Sequence, residues 1–129
     1  MSNAIALRDV AYRASKTFEI RDLAMNVPSG SVYGFLGANG AGKTTTIKMI
    51  MGLLPAGAGT INVLGEPMPD HAPSILARTG YVPERPHIYP NLTVAEAMRL
   101  HAAFFRRWDD EGARTLQREF RLEGDTRVS

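Results

Sequence analysis

The chain has 129 residues, a length that fits one compact domain and is short for two. Its residues are 44% hydrophobic and 22% charged, which is typical of a globular protein and excludes wholesale disorder or a collagen-like repeat. Fifteen Lys and Arg against 13 Asp and Glu give a net charge of +2, too small by itself to indicate nucleic acid or an anionic membrane as a partner. Because cysteine is absent, disulfides, thiolate catalysis and thiolate metal sites are excluded.

The longest uncharged stretch, residues 23–42, is long enough to cross a bilayer, but it contains Pro28 and five glycines. We therefore do not interpret it as a membrane span. The first seven residues lack the basic region and the long apolar core of a secretory signal. We expect a cytoplasmic location.

Strand-forming residues dominate the first third of the chain. Residues 5–10 and 18–27 are rich in residues that fit a pleated surface, and a Pro-Ser-Gly turn follows them. Residues 32–36 form a short continuous apolar run, the pattern of a strand buried on both faces. We predict three strands here.

A helix and two further strands are predicted next. Residues 44–54 place Ile47, Ile50, Met51 and Leu54 at helical spacing and end at Gly and Pro stop signals. Residues 60–64 lie between two glycines and are predicted to be a strand, as are residues 79–83.

The last third is predicted to be a helical hairpin. Thr93 and Glu96 have the spacing of a capping box, so a helix should begin there. After a break at Trp108 and Asp109, a second helix should place Ala113, Leu116 and Phe120 on one face. We interpret the arginines of this hairpin as a solvated surface and His101 as a core-boundary residue; the arginines are Arg99, Arg106, Arg107, Arg114 and Arg118.

The most informative segment is the glycine-rich loop that separates the third predicted strand from the first predicted helix. It matches the phosphate-binding pattern Gly-x-x-x-x-Gly-Lys-Thr and reads Gly37, Ala38, Asn39, Gly40, Ala41, Gly42, Lys43 and Thr44. Its glycines let consecutive backbone N–H groups point at phosphate oxygens. Lys43 supplies a point charge for the β and γ phosphates, and Thr44 supplies a hydroxyl for Mg²⁺.

A phosphate loop alone does not distinguish GTPases, small-molecule kinases and transport ATPases. The guanine-reading segment Asn-Lys-x-Asp of GTPases is absent, and the Asp-x-x-Gly match at residues 109–112 lies at the start of a predicted helix. A small kinase would have its loop close to the N-terminus, whereas strand-like sequence precedes the loop here.

The chain resembles the ATP-binding subunit of ABC (ATP-binding cassette) transporters over essentially its whole length. The matching segments agree in order and spacing and cover residues 27–30, 32–45, 52–55, 59–65, 80–84 and 89–96. The resemblance implies an α/β fold with a P-loop NTPase-type core and an antiparallel β-subdomain in residues 1–91. Residues 92–129 would begin a helical subdomain that is incomplete at the C-terminus.

The resemblance also implies a set of site residues. ATP would be bound by Asn39, Gly40, Ala41, Gly42, Lys43, Thr44 and Thr45. Lys43 and Glu84 would be catalytic, and Thr44 and Glu84 would hold Mg²⁺. Glu84 stands where most members have Gln, although Glu is familiar in export-type subfamilies.

The aromatic residue that stacks on adenine is expected near Ala14, where the sequence has no ring. Tyr12 is the candidate for the stacking and Phe18 the alternative, and each of them also suits an ordinary strand position.

Three of the family's motifs lie beyond the last residue of this sequence: the signature sequence, the Walker B acids and the switch histidine. We therefore expect either a fragment or a truncated product of a full subunit. The parent would be a Mg²⁺-dependent ATPase, whereas the 129-residue chain alone is expected not to hydrolyse ATP.

The resemblance implies partners as well. The parent would act as a homodimer or heterodimer of ATP-binding subunits on the inner face of the cell membrane, bound to a separate permease subunit through the helical hairpin and residues 80–93. No nucleic acid partner is expected. The alternatives are a soluble ABC-type ATPase that acts on nucleic acid or the ribosome, and a non-catalytic ATP-binding fragment.

Overall fold

A four-stranded antiparallel sheet forms the centre of the first part of the chain. In the computed structural model, which describes residues 2–85 and 88–128, the strands are β1 (Asn3–Arg13), β2 (Glu19–Pro28), β3 (Ala58–Val63) and β4 (Glu66–Met68). They lie in the order β2-β1-β3-β4. The chain forms two units, Met1–Gly80 and Tyr81–Ser129, and the sheet belongs to the first.

One row of buried side chains crosses the whole sheet. Leu7 pairs with Met25 on one side and with Ile61 on the other, and Ile61 pairs with Met68. All four side chains are buried, with Leu7 only 1% exposed. Because burial of each such side chain stabilises the fold by about 1.5–3 kcal/mol, this row is the centre of the core.

A β-bulge in β1 explains how two core residues three positions apart can face the same side. Strict alternation would place Leu7 and Val10 on opposite faces of the sheet, yet both are buried. The register of β1 shifts between them, and Asp9 has a positive φ of 51°. Gly59 faces this bulge with φ 83°, and a Cβ there would collide with the carbonyl oxygen of Asp9.

Helix α1 (Lys43–Ile50) packs on the sheet through Thr46, Met49 and Ile50. The predicted helix was 44–54 with Ile47 on its buried face, but Ile47 is 38% exposed and the helix ends four residues earlier.

Gly52, which has a φ of 67°, terminates the helix. The Gly52 N–H donates to Met49 O, and the Leu53 N–H donates to Lys48 O. This pattern is a Schellman motif with glycine at its left-handed position.

Two predicted strands are absent from the described residues. Residues 32–36 and 79–83 have no regular secondary structure, and the Val32 and Leu36 side chains are 104% and 92% exposed. A strand is defined by a neighbour that accepts and donates its backbone hydrogen bonds, and no described strand pairs with either segment. Strand β4 and the short helix α2 (Ala72–Leu76) were not predicted.

The second unit contains helices α3 (Val94–Ala102) and α4 (Asp110–Glu119). The capping box is confirmed, because the Thr93 N–H donates to Glu96 Oε2 at 2.8 Å and the Glu96 N–H donates to Thr93 Oγ1 at 3.3 Å. The break between the helices is confirmed as well. Near the end of α3, the His101 ring is tilted against Phe105 and meets Trp108 edge-on, with ring centroids 5.0 and 5.6 Å away.

The predicted apolar face of α4 is not buried. Leu116 is 54% exposed and Phe120 is 71% exposed, because no described element of this unit covers them. No helix within residues 2–85 and 88–128 is both long enough and apolar enough to cross a membrane.

Candidate functional site

The glycine-rich loop is shaped by two positive φ angles, 82° at Gly40 and 97° at Gly42. Gly40 lies inside a turn in which the Ala41 N–H donates to Ala38 O at 3.1 Å. A Cβ at Gly42 would lie 2.9 Å from Ile20 Cδ1, so a side chain is excluded by both backbone conformation and space. Ile20 supports the loop from β2, a role that the sequence did not single out.

The N-terminus of α1, directly after this loop, is open. Gly42 is its N-cap and has no side chain to accept a hydrogen bond, and the first turn contains no acidic residue. Among the described residues, no acceptor meets the N–H groups of Lys43, Thr44 and Thr45. Three donors and the positive end of the helix dipole therefore point at one place, which suits a phosphate group.

The N-termini of the other long helices differ from that of α1 because groups of the protein itself accept hydrogen bonds there. At α3, the N–H groups of Val94 and Ala95 donate to Thr126 O and Gly124 O at 2.9 and 3.0 Å. At α4, Asp109 Oδ1 accepts from the Gly112 N–H at 2.9 Å. These helix termini are capped by the protein itself, whereas the terminus of α1 has its donors available for a ligand.

The Lys43 side chain lies along the loop and contacts its backbone. Its Nζ donates to Ala38 O at 2.8 Å and also to Gly37 O. These partners are carbonyl groups of the loop itself, so a phosphate would compete with neutral acceptors for a charged donor. Thr46 holds the end of the loop, because its Oγ1 donates to Gly42 O at 2.9 Å and its side chain is only 1% exposed.

The residues around the loop suit Mg²⁺ only together with phosphate oxygens. Thr44 is exposed at the start of α1 and offers a hydroxyl. Within residues 2–85 and 88–128, no cluster of three or more His, Asp or Glu side chains could hold a metal ion. Mg²⁺ is commonly held by one or two protein ligands, substrate phosphates and water, and Thr44 fits that arrangement.

The two candidate aromatic residues occupy different surroundings. Tyr12 packs against the hydrophobic core and pairs with Ile20 across the sheet. Phe18 is half-buried near the tip of the β1–β2 hairpin, where its backbone carbonyl accepts from the Ala14 N–H at 3.1 Å. The Phe18 ring reaches within 3.6 Å of the position of a Cβ at Gly42, which places it beside the loop.

Glu84 is exposed in an irregular segment of the second unit. Its role towards Mg²⁺ and water stays a prediction, as does the subdomain boundary between residues 91 and 92. The remaining predicted binding residues lie together in the loop and the first turn of α1. They are Asn39, Gly40, Ala41, Gly42, Lys43, Thr44 and Thr45.

Comparison with known families decides what kind of loop this is. Residues 20–129 match the profile of the ABC transporter family, which includes the loop, α1 and the second unit. The chain belongs to the ABC transporter family. The resemblance drawn from the sequence is thereby confirmed, as is the prediction of an α/β nucleotide-binding fold with an antiparallel sheet.

Curated relatives of this ABC-family chain are ATP-binding proteins. It is 37% identical over 101 residues to the Nod factor export ATP-binding protein I of Cupriavidus pinatubonensis. It is 40% identical over 102 residues to the bacitracin transport ATP-binding protein BcrA of Bacillus licheniformis. These matches cover 78% and 79% of this chain but 31% and 33% of the relatives, so the chain matches about a third of their length.

Solved structures agree with this assignment. A structure described as the ATP-binding subunit of an ABC transporter superposes with a TM-score of 0.82 at 31% identity, covering 96% of this chain and 54% of the other. A subunit from Clostridium perfringens, part of an ABC transporter complex, superposes with a TM-score of 0.75 over 98% of this chain and 54% of the other. At 18% identity the second structure supports the fold alone.

Proposed function

We propose that this chain binds the phosphates of Mg²⁺–ATP at the loop of residues 37–45, as the ATP-binding part of an ABC-type export ATPase. The proposal rests on the open N-terminus of α1, whose first residue is Lys43. Three backbone donors and one ammonium group meet there, which is the donor set that a triphosphate requires. In the whole protein, hydrolysis would be coupled to transport.

The transport role is supported by the relatives. Their names specify the export of Nod factor and the transport of bacitracin. We therefore favour a transporter over a soluble ATPase that acts on nucleic acid or the ribosome. A membrane permease subunit and a second ATP-binding subunit would complete the assembly at the inner face of the membrane.

The second unit offers a surface for the permease. A groove of about 330 Å³ is lined mainly by apolar side chains, and the most exposed of them are Phe104 at 78% and Tyr89 at 68%. Exposed aromatic side chains around a concave surface are typical of protein interaction sites. This groove lies within the segments that the sequence assigned to the permease contact.

The test of phosphate binding is Lys43→Ala in the 129-residue chain, with Mg²⁺–ATP affinity measured by calorimetry. Removal of one charge-assisted contact should cost roughly 1.5–3 kcal/mol, which corresponds to about tenfold to a hundredfold in affinity. Lys48→Ala is the matched control, because Lys48 is exposed in the last turn of the same helix. It should bind ATP as the unmodified chain does.

Equal affinities for the unmodified chain and a folded Lys43→Ala variant would contradict the proposal. An equal loss in both lysine variants would show that general charge, rather than the loop, determines binding. Far-UV circular dichroism confirms that each variant is folded before calorimetry.

A further inference from the structure

Three arginines of the second unit line one concave surface. A cavity of about 380 Å³ at the end of α4 is lined by Arg114, Arg118, Arg121, Gln117, Leu122 and Glu123. Among the described residues, none of the three arginines forms a salt bridge. Three positive charges and one negative charge give this surface a net charge of +2.

Helix electrostatics accounts for part of this arrangement. Arg114 and Arg118 are four residues apart, so they lie on the same face of α4. Arg118 is in the last turn, where the negative end of the helix dipole favours a cation. Arg121 lies beyond the helix and is not explained in this way.

Arg121 stands at a position that favours glycine. The Leu122 N–H donates to Gln117 O at 2.9 Å and the Arg121 N–H donates to Arg118 O at 3.1 Å, which is a Schellman motif. Arg121 is its left-handed residue, with φ 52°. At the end of α1 the same motif has Gly52. The strained backbone of Arg121 thus adds a third guanidinium group to the cavity wall.

We propose that this cavity is a binding site for a phosphate group, separate from the nucleotide loop. Guanidinium groups bind phosphate oxygens in a bidentate manner, and several around one concave surface give both affinity and orientation. Gln117 is already engaged, because its Nε2 donates to Leu122 O at 2.9 Å and holds the backbone beneath the cavity. Arg118 Nη2 donates to Thr115 Oγ1 at 3.1 Å. The other guanidinium donors of the three arginines are the groups that bind the anion.

A phosphate group could come from a soluble phosphate compound or from a lipid headgroup. The chemistry that the arginines recognise is the same in both cases. Because the two sources differ in physical state, pyrophosphate in solution and phospholipid vesicles distinguish them.

The primary test uses the full chain with Lys43→Ala, so that the loop contributes little, and measures pyrophosphate binding by calorimetry. One variant replaces the three cavity arginines by glutamine, at Arg114, Arg118 and Arg121. The matched control replaces three exposed arginines elsewhere in the same unit, at Arg99, Arg106 and Arg107. The cavity variant should lose at least about tenfold in affinity and the control should lose less than about twofold. Equal losses, or no binding in any variant, would overturn the proposal.

Arg121→Gly separates binding from structure. Glycine adopts the left-handed conformation without strain, so this variant should melt at a higher temperature. It should nevertheless bind pyrophosphate about tenfold more weakly, because one guanidinium group is lost. A higher melting temperature with unchanged affinity would show that Arg121 does not bind the anion, and the proposal would fail.

Vesicles identify the source of the phosphate. Co-sedimentation with phosphatidylglycerol vesicles, but not with phosphatidylcholine vesicles, that depends on the cavity arginines would assign the site to a lipid headgroup. Arginine-dependent binding of pyrophosphate without vesicle binding would assign it to a soluble phosphate compound. Vesicle binding that persists in the cavity variant would contradict the headgroup assignment.

Discussion

Gly42 connects the β1–β2 hairpin to the phosphate loop. Its φ of 97° turns the chain into α1, and the missing side chain leaves space for Ile20 and the ring of Phe18. The sequence predicts the glycine from the loop pattern, because the pattern is local. It does not predict which hairpin residues fill that space, because the bulges of β1 change the register between the strands.

Phe18 is the residue that we expect to stack on adenine, since its ring lies beside the loop while Tyr12 packs against the core. Stacking on an aromatic ring is worth roughly 1–3 kcal/mol per base. Phe18→Ala should therefore weaken ATP binding by about tenfold, measured by calorimetry.

Inorganic tripolyphosphate is the control for this prediction, because it has the phosphates of ATP without the base. Its affinity should be the same for Phe18→Ala and for the unmodified chain. An equal loss for both ligands would mean that Phe18 only supports Gly42. A loss of ATP binding in Tyr12→Ala, with Phe18→Ala unaffected, would restore the assignment to Tyr12.

Glu84 should matter for turnover rather than for binding. In the whole transporter, Glu84→Ala should lower ATP hydrolysis and transport much more than ATP affinity, because an oxygen near the attacking water acts on the transition state. Glu84→Gln keeps an oxygen ligand and the residue common in the family, so it should retain part of the activity. Equal ATPase rates for the Ala variant and the unmodified protein would identify Glu84 as an ordinary surface charge.

At the scale of whole elements, a capping signal is easier to predict from the sequence than strand pairing. The capping box of α3 needs only Thr93 and Glu96, which are three residues apart, and both of its hydrogen bonds form. The strand predicted at residues 32–36 depends instead on neighbours distant in sequence. Apolar composition shows that a segment suits a buried strand, but pairing decides whether it becomes one.

The capping box gives the second unit a predicted pH dependence. The backbone N–H and the hydroxyl of Thr93 both donate to Glu96 and hold its pKa below the ordinary value. At pH values above the ordinary pKa of glutamate, ionised Glu96 therefore stabilises the folded state. This contribution is lost as the pH falls through the lowered pKa. Glu96→Gln should reduce the loss of helix on acidification, measured by far-UV circular dichroism.

Glu111→Gln is the matched control for Glu96. Glu111 is an exposed glutamate in the first turn of α4, and its carboxylate accepts no side-chain hydrogen bond within the described residues. This variant should lose helix on acidification as the unmodified chain does. Identical pH profiles for Glu96→Gln and the unmodified chain would show that the capping box contributes no pH dependence.

For the molecule as a whole, we predict that the purified 129-residue chain shows no ATP hydrolysis above its Lys43→Ala variant. By the proposed function the loop would bind the phosphates of the ground state, whereas the general base and the opposing signature implied by the family are not among these residues. Phosphate release under saturating Mg²⁺–ATP is the measurement. Robust turnover by a monomeric preparation would show that a residue present here, such as Glu84, acts as the base.

The phosphate loop is anchored unequally at its two ends, and this has a thermodynamic consequence. On the helix side, the buried Thr46 hydroxyl donates to Gly42 O. On the other side, residues 32–36 pair with no strand among residues 2–85 and 88–128, and Phe35 packs against the core. Any strand that pairs with residues 32–36 would order the first half of the loop and so strengthen nucleotide binding. By linkage, bound nucleotide would favour that pairing by the same factor. Slower amide hydrogen exchange at residues 32–36 on addition of Mg²⁺–ATP would reveal this reciprocity, in which nucleotide and neighbouring strand act as cooperative ligands of one segment.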